Sequence, residues 1–420
     1  MPSSVRRSSC AYPSLIRATE MNAMNGIRTV SGLIAIGWLA LSQAPIAAGE
    51  PFLPQQDNQV LEQLTVKATD PVARETRALR ANLLHDPQNV DAAVSLATRL
   101  IEQSRSEGDP RFLGQAQAVL APWLNHATPP PSTLLLRATI RQNAHEFDLA
   151  LSDLDTVLRM QPTNAQAWLT KASIYQVQGR YEEARRACQP LFRLAGRHVA
   201  LTCLGDIASL TGHATKSREQ LTSLLDRPGV SARERLWIFT ILAEAATRTG
   251  DAQTAEQYFT DARSLDVKDQ YLLGAYADFL LDQGHAQKVV TLLQHETRAD
   301  GLLLRLTLAE QALHLSGSKE HIAELAARFA AGRERGTNVH VREEARFTLA
   351  LLHDPKTALS LAQANWKIQK EPWDARLLLE SALAFGSREA ARPVIAWLRA
   401  NHVEDLRLQQ LAAQFPEERS

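Results

Sequence analysis

The side chains that could do chemistry here are 12 histidines, 3 cysteines and the carboxylates among 46 acidic residues. Metal binding would need histidines, cysteines or carboxylates at short fixed spacing, and no HExxH or paired CxxC occurs. His321 and Glu324 share a helical face, and His314 lies two turns before His321, which reads as surface histidines. His145, His213 and His285 fall between periodic segments, where polar turn residues belong. Nucleophilic or phosphate chemistry would need GxSxG, a P-loop or GxGxxG, and none is present. Gly205-Asp206 and Gly212-His213 are single-glycine events. Glu182–Glu183 and Glu343–Glu344 read as solvated helix faces. The expectation is no catalytic residue, no metal, no cofactor and no enzymatic activity. The cysteines remain: Cys10 near the start, and Cys188 and Cys203 close together.

The elements that position these residues are read best from 165–198, AQAWLTKASIYQVQGRYEEARRACQPLFRLAGRH. Before Gly179, Trp168, Ala172 and Tyr175 recur at helical spacing; after it, Tyr181, Ala184, Cys188 and Leu191 do the same. Gly179 sits where a left-handed turn residue joins the two helices. One such hairpin cannot bury its apolar face alone, so it needs neighbours. Trp, a small residue, Tyr, Gly, Tyr and Ala at these offsets resemble a tetratricopeptide repeat, a helix–turn–helix unit of about 34 residues.

The phase extends in both directions. Pro131–Asn164 carries Ala138, Phe147, Ala150, Leu154 and Pro162 at corresponding places. Val90–Pro129 carries Leu96–Ala97, a longer turn SEGDP, then Phe112, Ala116, Leu120 and Trp123. Between them HATPPPST should be extended, with Ser132 or Thr133 capping the next helix. Downstream come His198–Pro228, Leu236–Lys268 and Gln270–Asp300, the last two marked by Gly250 and Gly284. Leu302–Arg335 and Val339–Glu371 keep helix-pair periodicity without the Gly-Tyr-Ala marks, and Pro372–His402 reads as a shortened pair. Leu406–Phe415 reads as a terminal helix covering the last core face, as solenoids require. Upstream, Asp70–His85 begins with a capping Asp and a first-turn Pro. The resemblance implies an all-α, right-handed superhelical α-solenoid of roughly nine helix pairs. Its expected divisions are a solenoid over 69–300, best matched from 131, degenerate pairs over 301–402, and a capping helix with a tail over 403–420.

Two features stay open at this level. Pro122 and Pro190 fall at the same repeat position inside second helices, where proline costs about 3 kcal/mol and kinks the helix. They mark either tolerated local distortion or paired kinks that set the curvature. Cys188 and Cys203 sit at core-like positions of successive helices, about equally far from the turn near Arg197. They are either buried thiols or, in an oxidising compartment, a disulfide.

Composition is that of a folding chain: 45% hydrophobic, 22% charged, 6% aromatic and no net charge. Without a basic excess, a nucleic-acid partner is not expected. Near the start, Arg28 precedes the apolar run VSGLIAIGWLAL (30–41), and small residues follow to Ala48. That pattern predicts a signal peptide over 1–48, with Met21 or Met24 as alternative starts, then a flexible arm over 49–68. The alternative is an uncleaved anchor from Thr29 to Ala48. The expected location is periplasmic or secreted.

In the family the first helix of each pair lines a concave groove. The resemblance therefore implies groove positions at Leu135, Thr139, Gln142, Asn143, Leu169, Ser173, Gln176 and Asp206. It implies further ones at Thr240, Glu244, Thr247, Arg248, Tyr271, Asp278 and Asp282. A lysine–asparagine clamp for acidic peptides is missing, because those slots hold Leu135, Thr139, Leu169 and Ser173. The lining shifts from amides and hydroxyls to acids, which suits a partner protein with a basic or polar extended or helical segment. The expectation is an exported scaffold for an envelope or membrane-associated protein. The alternatives are an envelope-polysaccharide secretion or assembly factor, with Tyr271 and Trp237 as its only stacking candidates, and an enzyme with an unrecognised site.

Overall fold

The computed structural model describes Gln56, Gln59 and residues 70–336 and 340–415. The signal peptide and nearly all of the arm expected at 49–68 lie outside the described residues, as do 337–339 and 416–420. From residue 70 onward the described chain is helices joined by short turns and loops. A leading helix α1 (Pro71–His85) is followed by pairs: α2 (Val90–Glu107) with α3 (Arg111–Leu124), and α4 (Pro131–Asn143) with α5 (Phe147–Met160). In the third pair α6 (Ala165–Val177) meets a second helix divided into α7 (Tyr181–Cys188) and α8 (Leu191–Leu194). Then come α9 (Arg197–Leu210) with α10 (Ala214–Leu225), α11 (Ala232–Arg248) with α12 (Ala252–Ser264), and α13 (Gln270–Asp282) with α14 (Ala286–Leu293). Next are α15 (Asp300–Ala312) with α16 (Gly317–Glu334), α17 (Val341–Ala350) with α18 (Pro355–Trp366), and α19 (Pro372–Phe385) with α20 (Arg388–Ala400). The run ends in α21 (Leu406–Ala412). The fold is an all-α solenoid of helix hairpins.

Local chemistry sets the boundaries. Asp70 caps α1 by accepting from the Val72 amide, and Ser231 with Glu234 forms a reciprocal capping box on α11. The expected cap of α4 by Ser132 or Thr133 is corrected. Pro131 takes the first helical position, Pro130 precedes it, and the Thr133 hydroxyl donates back to the Pro130 carbonyl at 2.8 Å. The two equivalent prolines also part company. Helix α3 continues through Pro122, whereas the helix of the third pair breaks at Gln189–Pro190. The equivalent prolines therefore leave one helix continuous and interrupt the other. The break directly follows Cys188, which is bonded to Cys203 with Cα atoms 5.9 Å apart, tying α7 to α9.

Core packing is mainly between neighbours, and Ala97, Ala138, Ala172, Ala243 and Ala277 let first helices approach their partners closely. In α6 the fully buried positions are Ala167, Thr170, Ala172 and Ile174, while Trp168 and Tyr175 are half-buried between two clusters. Gly205 is a close approach of another kind. A Cβ there would sit 2.8 Å from Leu221 Cδ2 of α10.

A second set of contacts joins hairpins far apart in sequence. The α2–α3 turn meets the loops before α13 and α15: Arg105 pairs with Asp269 at 2.9 Å, and Gln270 Nε2 donates to the Ser106 carbonyl at 3.2 Å. The α6–α7 turn meets the loop before α19, where the Lys370 amide donates to the Val177 carbonyl at 2.7 Å. Trp397 packs on Tyr181 with ring centroids 6.4 Å apart. The α9–α10 turn meets the loop before α21, where the Ala214 amide donates to Glu404 Oε2 at 2.8 Å. The α11–α12 turn meets Leu406. Turns within the early pairs thus rest on loops between the late pairs, so successive superhelical turns touch along a seam.

Candidate functional site: the concave groove

Side chains of the first helices of successive pairs meet one another and meet charges from the late pairs. At the centre of the groove, Tyr271 of α13 donates its hydroxyl to Glu244 of α11 at 2.8 Å. Tyr271 is 58% exposed, and Asp206 of α9 and Glu371 at the start of α19 both act on it electrostatically. Burial pushes the Tyr271 phenol well above its usual range and lifts Glu244 to about 7. Burial also raises Asp206, against a hydrogen bond from Gln176 and the charge of Arg248. Burial raises Glu371 too, against its pair with Arg342. Glu244 thus bonds the exposed Tyr271, while Asp206 and the Arg342-paired Glu371 act on it only through their charge. Arg248 is the nearby cation, but its Nη2 is committed to the Ser209 hydroxyl at 2.9 Å.

Further along, the groove is already neutralised from within. Asp278 is buried and receives Arg305 and Arg346, each at 2.6 Å. Burial pushes its carboxyl up, but the two guanidiniums hold it below the usual carboxylate value. Asp282 is gripped by both terminal nitrogens of Arg376 at 2.6 and 2.8 Å. Trp373 lies between Arg346 and Arg376, with guanidinium carbons 4.4 and 4.2 Å from its ring centre. Arg342 holds Glu371 and buried Asp374, and Asn365 donates to the same Asp374 at 2.7 Å. A void of about 10 Å³ remains between Arg305, Arg342, Arg346 and Trp373, about one water in size.

The expected groove residues fall into three groups. Asp206, Glu244, Tyr271 and Gln176 converge as described. Gln142 donates to Ser173 at 3.2 Å across neighbouring repeats, while Thr139, Asn143 and Thr247 hydrogen-bond carbonyls of their own helices. The remaining positions are occupied by contacts within the chain. Thr240 is buried with its hydroxyl on the Leu236 carbonyl, and Leu135 and Leu169 are partly buried against core clusters. Asp278 and Asp282 are held by this chain's own arginines, so they are not acceptors open to a basic partner. Sequence reading missed Trp373 and its flanking arginines. Arg342 and Arg346, one turn apart on α17, were the available signal.

Of the other candidates, His321 Nδ1 lies 2.7 Å from Glu310 Oε2, and Glu324 pairs instead with Arg328. Among the described residues, no three His, Cys, Asp or Glu side chains converge as metal ligands. No helix of the described residues is long and apolar enough to cross a membrane.

Helical-hairpin solenoids build extended concave surfaces that such proteins commonly use to bind partners. Sequence comparison places a tetratricopeptide repeat at residues 143–196, over the hairpin whose spacing was read first. None of the curated proteins matches the chain in sequence. Among solved structures, the chain is similar to Rap protein complexed with Competence and Sporulation Factor, at 14% identity over 82% of this chain and 97% of that one, with a TM-score of 0.43. It is similar to the APC/C hetero-tetramer Cut9–Hcn1 at 15% identity over 82% of this chain, with a TM-score of 0.39, and spans 53% of that chain. A tetratricopeptide repeat protein from Parabacteroides merdae is 18% identical over 68% of this chain and 98% of its own, with a TM-score of 0.36.

Proposed function

We infer that this protein is an exported scaffold that takes a basic segment of a partner protein into its groove, at the centre formed by Asp206, Glu244 and Tyr271. One observation carries the reading: Tyr271 is exposed with its hydroxyl on Glu244 and with the charge of Asp206 acting on both, whereas Glu371, Asp278 and Asp282 are already paired with arginines. A lysine or arginine side chain there would gain ring-face attraction and carboxylate partners together. Export is supported by the apolar run at 30–41 behind Arg28 and by the Cys188–Cys203 bond, which forms in oxidising compartments. The partner is then an envelope or membrane-associated protein. A glycan ligand is supported less. Trp237 packs into the core and Trp373 is covered by two guanidiniums, which leaves Tyr271 as a lone platform.

The test is calorimetric titration with lysine- or arginine-bearing peptides against the wild type, Glu244→Gln and Tyr271→Ala. Binding should release protons near neutral pH, because a cation favours ionised Glu244, and both substitutions should weaken it at least tenfold. Equal affinity for the three proteins would reject the site. Cell fractionation with N-terminal sequencing of the purified chain tests export separately, and a full-length chain in the cytosol would reject it.

A further inference from the structure

Arg248 stands one helical turn after Glu244 on α11, the Glu-to-Arg spacing at which ion pairs close along a helix. Its charge acts on three carboxylates: Glu244, Asp206 of α9, and Asp405 just before α21. Among the described residues it forms an ion pair with none of them. Its Nη2 donates instead to Ser209 of α9, at 2.9 Å to the hydroxyl and 3.5 Å to the carbonyl. Its Nε is buried without a hydrogen-bond partner. Buried donors are normally satisfied, and a guanidinium beside carboxylates normally pairs with them. Other acids of the groove do reach that arrangement: Asp278, Asp282 and Glu371 each hold an arginine.

Ser209 accounts for the exception. It is fully buried, and its hydroxyl donates to the Asp206 carbonyl one turn earlier at 2.7 Å. With its hydrogen spent there, the Ser209 oxygen is free to accept, and Arg248 supplies the donor. A hydrogen bond from a charged donor to an acceptor fixed in this way outweighs a side-by-side pair along one helix. The groups facing Glu244 are Arg248 on its own helix, Asp206 on α9, Tyr271 on α13 and Glu371 at the start of α19. Burial is the largest influence and lifts Glu244 to about 7, with the two acids adding to it and Arg248 and the Tyr271 hydroxyl opposing it.

We propose that Ser209 is a positioning residue for the groove centre: it holds Arg248 off Glu244 and Asp206 and so keeps both carboxylates available to a lysine or arginine of the partner. The partner's cation rests on the groove reading above, whereas the restraint on Arg248 belongs to the free chain. Without the Ser209 hydroxyl, Arg248 closes on Glu244 and takes the place meant for the partner's cation. That pair would return Glu244 toward its ordinary value, because an adjacent guanidinium favours the ionised carboxylate.

A double-mutant cycle of Ser209→Ala and Arg248→Gln in the full chain tests this. One readout is the titration of Glu244 in the free protein, followed by NMR of carboxyl-labelled glutamate and assigned with Glu244→Gln. The other is calorimetric affinity for a lysine-bearing peptide. Ser209→Ala removes a single hydroxyl, and far-UV circular dichroism checks that the fold survives. In Ser209→Ala the Glu244 titration should fall from about 7 toward 4.5, and peptide affinity should drop at least about tenfold. In the Arg248→Gln background Ser209→Ala should change neither, because no guanidinium remains to close on Glu244. A Glu244 that still titrates near 7 in Ser209→Ala overturns the proposal. So does a loss of affinity that persists in the Arg248→Gln background, because that loss belongs to the packing of Ser209 alone. If Glu244 responds as expected while no protein of the cycle binds the peptide, the groove reading fails and the restraint on Arg248 stands.

Discussion

Gly108→Ala and Gly284→Ala separate what the seam contributes from what the backbone contributes. The two glycines have φ of 67° and 73°, so the left-handed cost of an L-residue, about 1–2 kcal/mol, is common to both. The small gain from a stiffer unfolded chain is common too. What differs is space. At Gly284 the new methyl meets nothing, whereas at Gly108 it arrives 2.6 Å from Ala299 Cβ and 3.2 Å from Gln270 Cδ. Ala299 Cβ is fixed to its backbone and cannot swing away, so the α2–α3 turn must lift or the loop before α15 must move. Overpacking of this size costs about 1–3 kcal/mol. Lifting the turn would also stretch Arg105–Asp269 and Gln270–Ser106. Because solenoids open locally, hydrogen exchange read by mass spectrometry is a better assay than a global melt. Gly108→Ala should speed exchange at 100–112 and 266–272 by about 5- to 150-fold over Gly284→Ala, the range matching 1–3 kcal/mol. Equal effects of the two substitutions would refute the seam.

Other consequences are read in simpler experiments. Burial holds Glu244 protonated up to about pH 7 in the fold, against 4.5 as its ordinary value, so the folded chain binds more protons than the unfolded one between these limits. Stability should therefore fall as pH rises through that window, by an amount on the order of 3 kcal/mol. Arg248, Asp206, Glu371 and Tyr271 face the group, and Glu244→Gln should flatten the thermal midpoint across the same pH range. Asp278→Ala leaves Arg305 and Arg346 in the interior without their shared carboxylate, which should cost about 3–5 kcal/mol in urea unfolding. A cost below 1 kcal/mol would show the two arginines are solvated. Reducing Cys188–Cys203, which closes a separation of 15 residues, should cost about 3 kcal/mol. Both cysteines are buried, so mild reductant should act only as the chain unfolds, and rapid reduction of the native protein would contradict that burial.

Much of the hairpin architecture was legible because it is local. Apolar spacing at 168, 172 and 175 and the turn glycine at 179 encode contacts within a hairpin and to the next one, and a chemical pattern can be read along the chain. Even there a phase was soft: α6 is apolar on several sides, so Ala167 and Ile174 are fully buried while Trp168 and Tyr175 are only partly so. The composition of the groove was legible too, but not its pairing. Asp278 and Asp282 read as open acids because their partners, Arg346 and Arg376, stand 68 and 94 residues away on helices that had lost the repeat signature.

The seam was illegible for a stronger physical reason. Repeat sequence specifies the rotation from one hairpin to the next, and the distance between superhelical turns is the sum of many such rotations. A few degrees at each step decide whether Arg105 and Asp269, 164 residues apart, meet at 2.9 Å or face water. What local sequence does retain is the response to that outcome. Gly108, Gly179, Gly212 and Gly250 mark turns that had to be both left-handed and uncovered by a side chain. Other turns of the same left-handed form carry histidine: His314 and His353 have φ of 54°, at a cost glycine would avoid. Those same turns carry Leu315 and Leu352 into solvent. His145 is left-handed at the α4–α5 turn as well, with φ of 58°, so the left-handed backbone is common to these turns, and a bare glycine is sterically required only where a neighbouring segment would meet its Cβ.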